Sequence, residues 1–172
     1  YMLQIYDNVS TTSPLVHAFI TSKLDNLNSI LAGQPQSVLK KLRLIQNNAG
    51  RLVARKKRSE HVTPIMKDLH WLPMEARIKY KLCLLTHKSL TGNAPQYIAD
   101  LIELYAPQRQ LRSIRENNLV IKVPKLKYTG GRAFSVQAPR QWNRLPSRLK
   151  NCQNVDTFKQ GLKTYLFEDY YM

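Results

Sequence analysis

The 172 residues make up 20.0 kDa, enough for one domain or two small subdomains, and 43% apolar residues allow a real core. Lysine and arginine number 27 against 11 aspartates and glutamates, giving a net charge of +16 and a pI near 10.1. That excess calls for a polyanionic partner, nucleic acid before an anionic membrane face, while two cysteines exclude a disulfide scaffold and favour a reducing intracellular site.

No apolar run approaches the roughly 18 residues that span a bilayer, and no signal peptide is visible. The chain opens on Tyr1, as a fragment of a longer protein would. Residues 1–12 are polar and aperiodic, a flexible start. Residues 13–105 read as a helical bundle. Ser13-Pro14 predicts a cap followed by a first-turn proline. Val16, Phe19, Ile20, Leu24, Leu27 and Leu31 then recur at helical spacing, until Gly33 and Pro35 end the pattern. A second helix starts at Ser37 with Val38, Leu42, Ile45, Ala49, Leu52 and Val53 expected inward. Lys40, Arg43, Asn47 and Arg51 are expected on its opposite side. Gly50 inside it costs about 0.5–1 kcal/mol.

Thr63-Pro64 opens a short third helix to His70. Pro73 opens a long fourth, Met74 to Leu90, with Met74, Ile78, Leu82 and Leu85 as its buried stripe. Pro95 opens a fifth with Ile98, Leu101, Ile102 and Tyr105 inward. Residues 106–172 change character: a basic arm, a small hairpin over about 118–136 turning at Gly130-Gly131, and a closing helix capped by Asp156 that buries Phe158, Leu162, Tyr165 and Leu166. Phe134 to Leu145 is open between a strand and a short helix. The expected class is mainly α, a helical bundle with one small β-hairpin and a C-terminal helix.

Charge is blocked rather than spread. No acid lies between Asp25 and Glu60, where eight basic residues stand: Lys40, Lys41, Arg43, Arg51, Arg55, Lys56, Lys57 and Arg58. Between Glu103 and Asp156 the lone acid Glu116 meets eleven basic residues. Blocks of one sign create local fields that hold a phosphate backbone, although a merely solvated basic surface would read the same way. Side chains three and four apart on a helix are neighbours, so Lys40, Arg43, Asn47 and Arg51 can straddle phosphates. Arg55 to Arg58 would add an anchor, and Arg109, Arg112, Arg115, Lys125 and Lys127 a second patch. Such binding is salt-dependent and largely blind to base sequence. Trp71 and Trp142 can stack on bases, but their apolar and proline-rich surroundings favour packing.

Catalytic signals are weak. Two-metal chemistry needs clustered carboxylates; only Glu168-Asp169 are adjacent, and Asp68 stands without supporting residues. Zinc needs four close ligands. Cys83 and His87 share a helix face, which places two ligands together in principle but more often marks a buried thiol beside a half-exposed imidazole. No phosphate-binding lysine loop is present. A metal nuclease acting through Asp68 is thus one rival, a protein-docking module another. A membrane-surface role is weakest, for want of large aromatics beside the basic helix.

Several segments together resemble the C-terminal, thumb and post-thumb region of a non-LTR, LINE-type retrotransposon reverse transcriptase of the jockey or chicken-repeat kind. They are residues 18–35 (AFITSKLDNLNSILAGQP), 42–53 (LRLIQNNAGRLV), His61 to Pro64, Leu69 to Pro73, 77–90 (RIKYKLCLLTHKSL) with Gly92, Pro95 and Tyr97, 132–146 (RAFSVQAPRQWNRLP) and 158–166 (FKQGLKTYL). The resemblance spans about residues 15–167. It implies a part of an RNA-directed DNA polymerase of a transposable element, located in the nucleus or cytoplasm. That part would grip template RNA or an RNA–DNA duplex beside an upstream palm. It also implies no cofactor in this segment, with Mg2+ and its aspartates belonging to the palm, and no catalysis by the segment alone.

Overall fold

The computed structural model describes residues 9–26, 28–106, 117–124, 126 and 130–172. It is mainly helical. The long elements are α3 (Gln36–Val53), α5 (Met74–Leu90) and α9 (Val155–Tyr171). Around them stand α1 (Val9–Val16), α2 (Ser22–Asp25), α4 (Val62–Asp68), α6 (Gln96–Ala99), α7 (Phe134–Trp142) and α8 (Ser147–Lys150).

α5 is the axis of the molecule. It begins and ends where Pro73 and Gly92 place it in the sequence, and α3, α7 and α9 all pack on it. One core joins Leu72, Ala76 and Cys83 to Trp142, Leu145, Phe158 and Leu162. At its centre the His87 ring stacks on Phe158 at 4.1 Å, beside Trp142 at 6.4 Å. The His87 Nε2 pairs with the Cys152 carbonyl at 2.7 Å. Burial pushes the Cys83 thiol up to about 12, because a thiolate there would lose its hydration. Cys83 and His87 therefore both face a sealed interior.

The first helix differs from expectation. It starts at Val9, so Pro14 lies inside it rather than opening it. Proline has no N–H for the preceding turn, and one turn later the helix widens into a π register over His17–Thr21 before α2 resumes. Phe19, expected inward, is exposed; Val16 and Leu24 are buried. Leu27 lies outside the described residues.

α3 is rotated about its axis relative to its apolar pattern. Leu39, Gln46, Ala49, Gly50 and Val53 are buried, whereas Val38, Ile45 and Leu52 are 39%, 47% and 58% exposed. At 100° per residue the buried stripe is turned by nearly one residue. Two polar or small residues set that turn. The Gln46 Nε2 donates to the buried Leu72 carbonyl at 2.7 Å. Gly50 lets α4 come close, since a Cβ there would sit 3.0 Å from the Met66 Sδ. Leu101 and Tyr105 are likewise exposed rather than inward, because α6 stops at Ala99.

Among the described residues there is no strand, and the expected hairpin is replaced by one antiparallel bridge, Leu104 to Leu119. The β-like segment has found other partners. Tyr105 donates to the Asn118 carbonyl and Val120 to the Glu103 carbonyl, each at 2.9 Å. On the other edge the Asn143 amide imitates a strand: it accepts from Leu119 N–H at 2.8 Å and donates to the Leu119 carbonyl at 2.9 Å. The Trp142 indole donates to the Asn117 carbonyl at 2.8 Å. The Leu119 and Val120 groups are thus paired outside any hairpin, and 130–132 form a 3-10 turn into α7. Phe134 to Leu145 resolves as helix to Trp142, with Pro139 inside it. The cap of α9 is Asn154, whose side chain accepts from Asp156 N–H and Thr157 N–H, not Asp156.

Candidate nucleic-acid interface

The expected cationic row sits on the flank of α3, beside its packed face rather than opposite it. Lys40 is exposed and Asn47 half-buried. Arg43 is ion-paired with Glu75 at the start of α5. Arg51 donates through Nε and Nη2 to the Glu60 carbonyl at 3.3 and 3.1 Å. The middle of the row is thus spent on holding α3 to α5 and to the loop 54–61.

That loop is built by the end of α3. Arg55 takes a left-handed φ of 52°, and Lys56 N–H reaches back to the Arg51 carbonyl at 2.9 Å, the hydrogen-bond pattern in which glycine normally closes a helix. The turn throws Arg55, Lys56, Lys57 and Arg58 outward, all exposed. Lys56 pairs with Glu60 at 3.4 Å. The Lys57 N–H, with Lys56 nearby, holds the Glu60 carboxyl below its usual range. Lys40 and Lys41 at one end of α3, and Arg55, Lys57 and Arg58 beyond the other, lie outside ion-pair distance of any described carboxylate. Arg109, Arg112, Arg115, Lys125 and Lys127 lie outside the described residues.

A second basic surface escapes the charge count. A cleft of about 540 Å³ opens between the π turn, the loop before α5, and the α5 and α9 helices. Arg77, Tyr80, Lys81 and Leu84 share one α5 face at helical spacing and line it, and Lys163 arrives from α9. At the back, Arg77 donates to both Asp25 oxygens, at 2.9 and 2.7 Å, and to the Leu72 carbonyl at 3.0 Å. Asn28 donates to Asp25 at 3.4 Å, and its own carbonyl oxygen is buried with no partner. Burial raises the Tyr80 phenol above its ordinary range.

Rings frame this cleft. α4 ends as α3 does: His70 has φ 54°, and Trp71 N–H bonds the Met66 carbonyl at 2.9 Å. This turn buries Trp71 against Met66 and Val53, and stacks His70 on Phe167 at 5.6 Å. The exposed His17 meets Trp71 edge-on at 5.4 Å. Trp142, by contrast, is fully buried, and both tryptophans serve packing. Sequence reasoning missed the cleft because its cations lie in the nearly balanced middle segment and in α9. The one local signal was Pro14, whose missing N–H precedes the π turn that carries His17 and Thr21 to the rim.

Asp68, the residue of the nuclease rival, is exposed on α4, and its carbonyl pairs with the His70 ring at 3.1 Å. Among the described residues no helix is long and apolar enough to cross a membrane. No family model, curated protein or solved structure matches the chain.

Proposed function

We propose that the chain is a nucleic-acid-gripping part of a non-LTR retrotransposon RNA-directed DNA polymerase, acting inside the cell, in the nucleus or cytoplasm. It holds template RNA or an RNA–DNA duplex in register for a palm that supplies the Mg2+ and the chemistry, and does not polymerise by itself. The observation that carries this reading is that Lys40, Lys41, Arg55, Lys57, Arg58, Lys81 and Lys163 have no described carboxylate within ion-pair distance. Cations not used by the fold remain available to phosphates, and each phosphate neutralised releases counterions. The motif resemblance over residues 15–167 adds the parent enzyme to that physical core.

A salt titration on an RNA–DNA duplex tests it. Affinity should fall steeply and linearly on a log–log plot, and Lys57→Gln/Arg58→Gln should lower the slope by about 1–2. An affinity indifferent to salt removes the phosphate grip. A second reading has its own observation. Leu15, Phe19, Val38, Ile45 and Leu52 are all exposed, an apolar surface suited to docking within the parent protein. Salt-independent capture of a parent-protein fragment, lost in Ile45→Glu, would favour that reading instead.

A further inference from the structure

We infer that the outer edge of α3, with the groove it forms against α1 and the π turn, binds an amphipathic helix of a partner protein whose apolar stripe is flanked by carboxylates. This inference goes beyond the nucleic-acid grip and rests on the exposed apolar residues of the second reading. It starts from an oddity of α3. Val38, Ile45 and Leu52 recur every seven residues, and the fold leaves all three exposed. Gln46 lies inward instead, buried, with its Oε1 meeting no donor among the described residues. Gly50, also inward, admits Met66. A buried amide with an unmatched acceptor is a costly substitute for an aliphatic side chain. An apolar stripe turned outward at such a cost suits a surface that is covered in use.

Helix geometry fixes the layout. At about 1.5 Å per residue, Val38 to Leu52 is a strip about 21 Å long. At Leu52 the strip enters a groove of about 350 Å³, whose other wall carries Leu15, Val16 and Phe19. Phe19 is 72% exposed there. The exposed Lys41 falls between Val38 and Ile45 on the open flank, and Arg55 stands at the mouth of the groove. Neither lies within ion-pair distance of a described carboxylate. A partner helix repeats its own stripe about every 10.5 Å, in step with the strip. An extended peptide repeats about every 7 Å and falls out of step. A second copy of this chain would set Lys41 and Arg55 against their like, which opposes association. Flanking carboxylates on the partner meet both cations.

The test selects binders of the whole chain from a displayed library of helices of about 18 residues, long enough to cover the strip. Each helix carries a fixed leucine stripe, with Glu, Lys or Gln at every flanking position. Glu should be enriched beside the stripe. The recovered peptide, made synthetically, should bind with a Kd of about 10 μM or tighter. Ile45→Ser/Leu52→Ser should weaken it at least about tenfold and leave duplex binding unchanged. Lys41→Glu/Arg55→Glu should turn the flank preference from Glu to Lys, although the chain remains strongly basic. That reversal separates a local charge match from the general field of a cationic protein. Thermal melts establish that these variants of exposed residues fold.

A selection that yields no binder, or enriches Lys, overturns the inference. So does peptide binding unaltered by Ile45→Ser/Leu52→Ser, which places the helix elsewhere. Self-association lost in that variant would assign the face to a second copy. Binding to phosphatidylserine-containing vesicles, lost in the same variant, would assign it to a membrane. Either result overturns the partner helix. Failure of the peptide with salt-dependent duplex binding intact spares the grip, and peptide binding with a salt-indifferent duplex affinity removes the grip and spares the docking surface.

Discussion

Of the three long helices, α3 and α5 carry the arginines that the fold ties down, and they treat them oppositely. On α3, Arg43 lies at the edge of the packing, its side chain 44% exposed although ion-paired with Glu75. On α5, Arg77 is only 12% exposed and closes the back of the cleft with three hydrogen bonds to Asp25 and Leu72. The residues one turn further on reverse the picture. Asn47 on α3 carries no charge, while Lys81 on α5 stands open in the cleft. A run of basic letters therefore measures charge density, not charge available to a partner. Availability depends on where the nearest carboxylate or carbonyl lands after folding.

The sharpest way to break this comparison is to remove each arginine in turn. Arg77→Ala should cost about 2 kcal/mol, because it removes a nearly buried guanidinium and its two bonds to Asp25, while the Leu72 carbonyl keeps Gln46 and the 44% exposed Asp25 carboxylate regains water. Arg43→Ala should cost at most about 1 kcal/mol, as a half-exposed pair in high dielectric. Urea denaturation of both variants checks this. Equal losses would mean that the two ion pairs are equivalent and that the contrast between the helices is only geometric.

The same contrast explains what could be read from the sequence. α5 is packed on several sides, by α3, α7 and α9, so its apolar stripe and its flanking Pro73 and Gly92 all specify one answer. α3 is packed on one side, and there a single side-chain hydrogen bond from Gln46 and one close approach at Gly50 outweigh the apolar pattern. Neither competes visibly in a hydropathy count. The hairpin was misread for a related reason. Leu119 to Val123 has strand composition, but Leu119 and Val120 pair with the side chain of Asn143 and with the turn after α6, both distant in sequence. The cleft was illegible because it is assembled from residues 17–28, 69–84 and 163.

The helix ends allow a smaller and opposite effect. Arg55 closes α3 in the left-handed region, where a β-carbon costs about 1–2 kcal/mol. Its side chain is exposed, so Arg55→Gly should stabilise the fold by about 1 kcal/mol. The same change should weaken duplex binding and lower the salt slope by about 1. Gain of stability with loss of affinity would mark Arg55 as a residue kept for its charge. Gain of stability with unchanged affinity would remove it from the interface. Gly33 provides the control. With φ 70° and a would-be Cβ 3.1 Å from the Gln137 amide, Gly33→Ala should be destabilising.

The smallest expected effect belongs to the cleft side and has a pH signature. The Tyr171 hydroxyl, near the end of α9, donates to the Trp71 carbonyl at 2.8 Å and so ties α9 to the loop that floors the cleft. Burial raises this phenol to about 12 from an ordinary 10. The unfolded chain therefore loses its proton first as pH rises. The stability this group contributes is complete below about pH 10 and disappears as pH climbs through about 12. Tyr80, also raised by burial, acts in the same direction. Tyr171→Phe should cost about 1 kcal/mol at neutral pH and flatten the alkaline decline in Tm, leaving the Tyr80 part. α3 meets the same loop through Gln46 rather than a phenol, so its duplex contacts should be indifferent to the change. An alkaline profile identical in the variant and the parent chain would show that this bond does not hold the loop, and the cleft floor would then owe its position to the Trp71 and Met66 packing and to the bonds that Gln46 and Arg77 make to the Leu72 carbonyl.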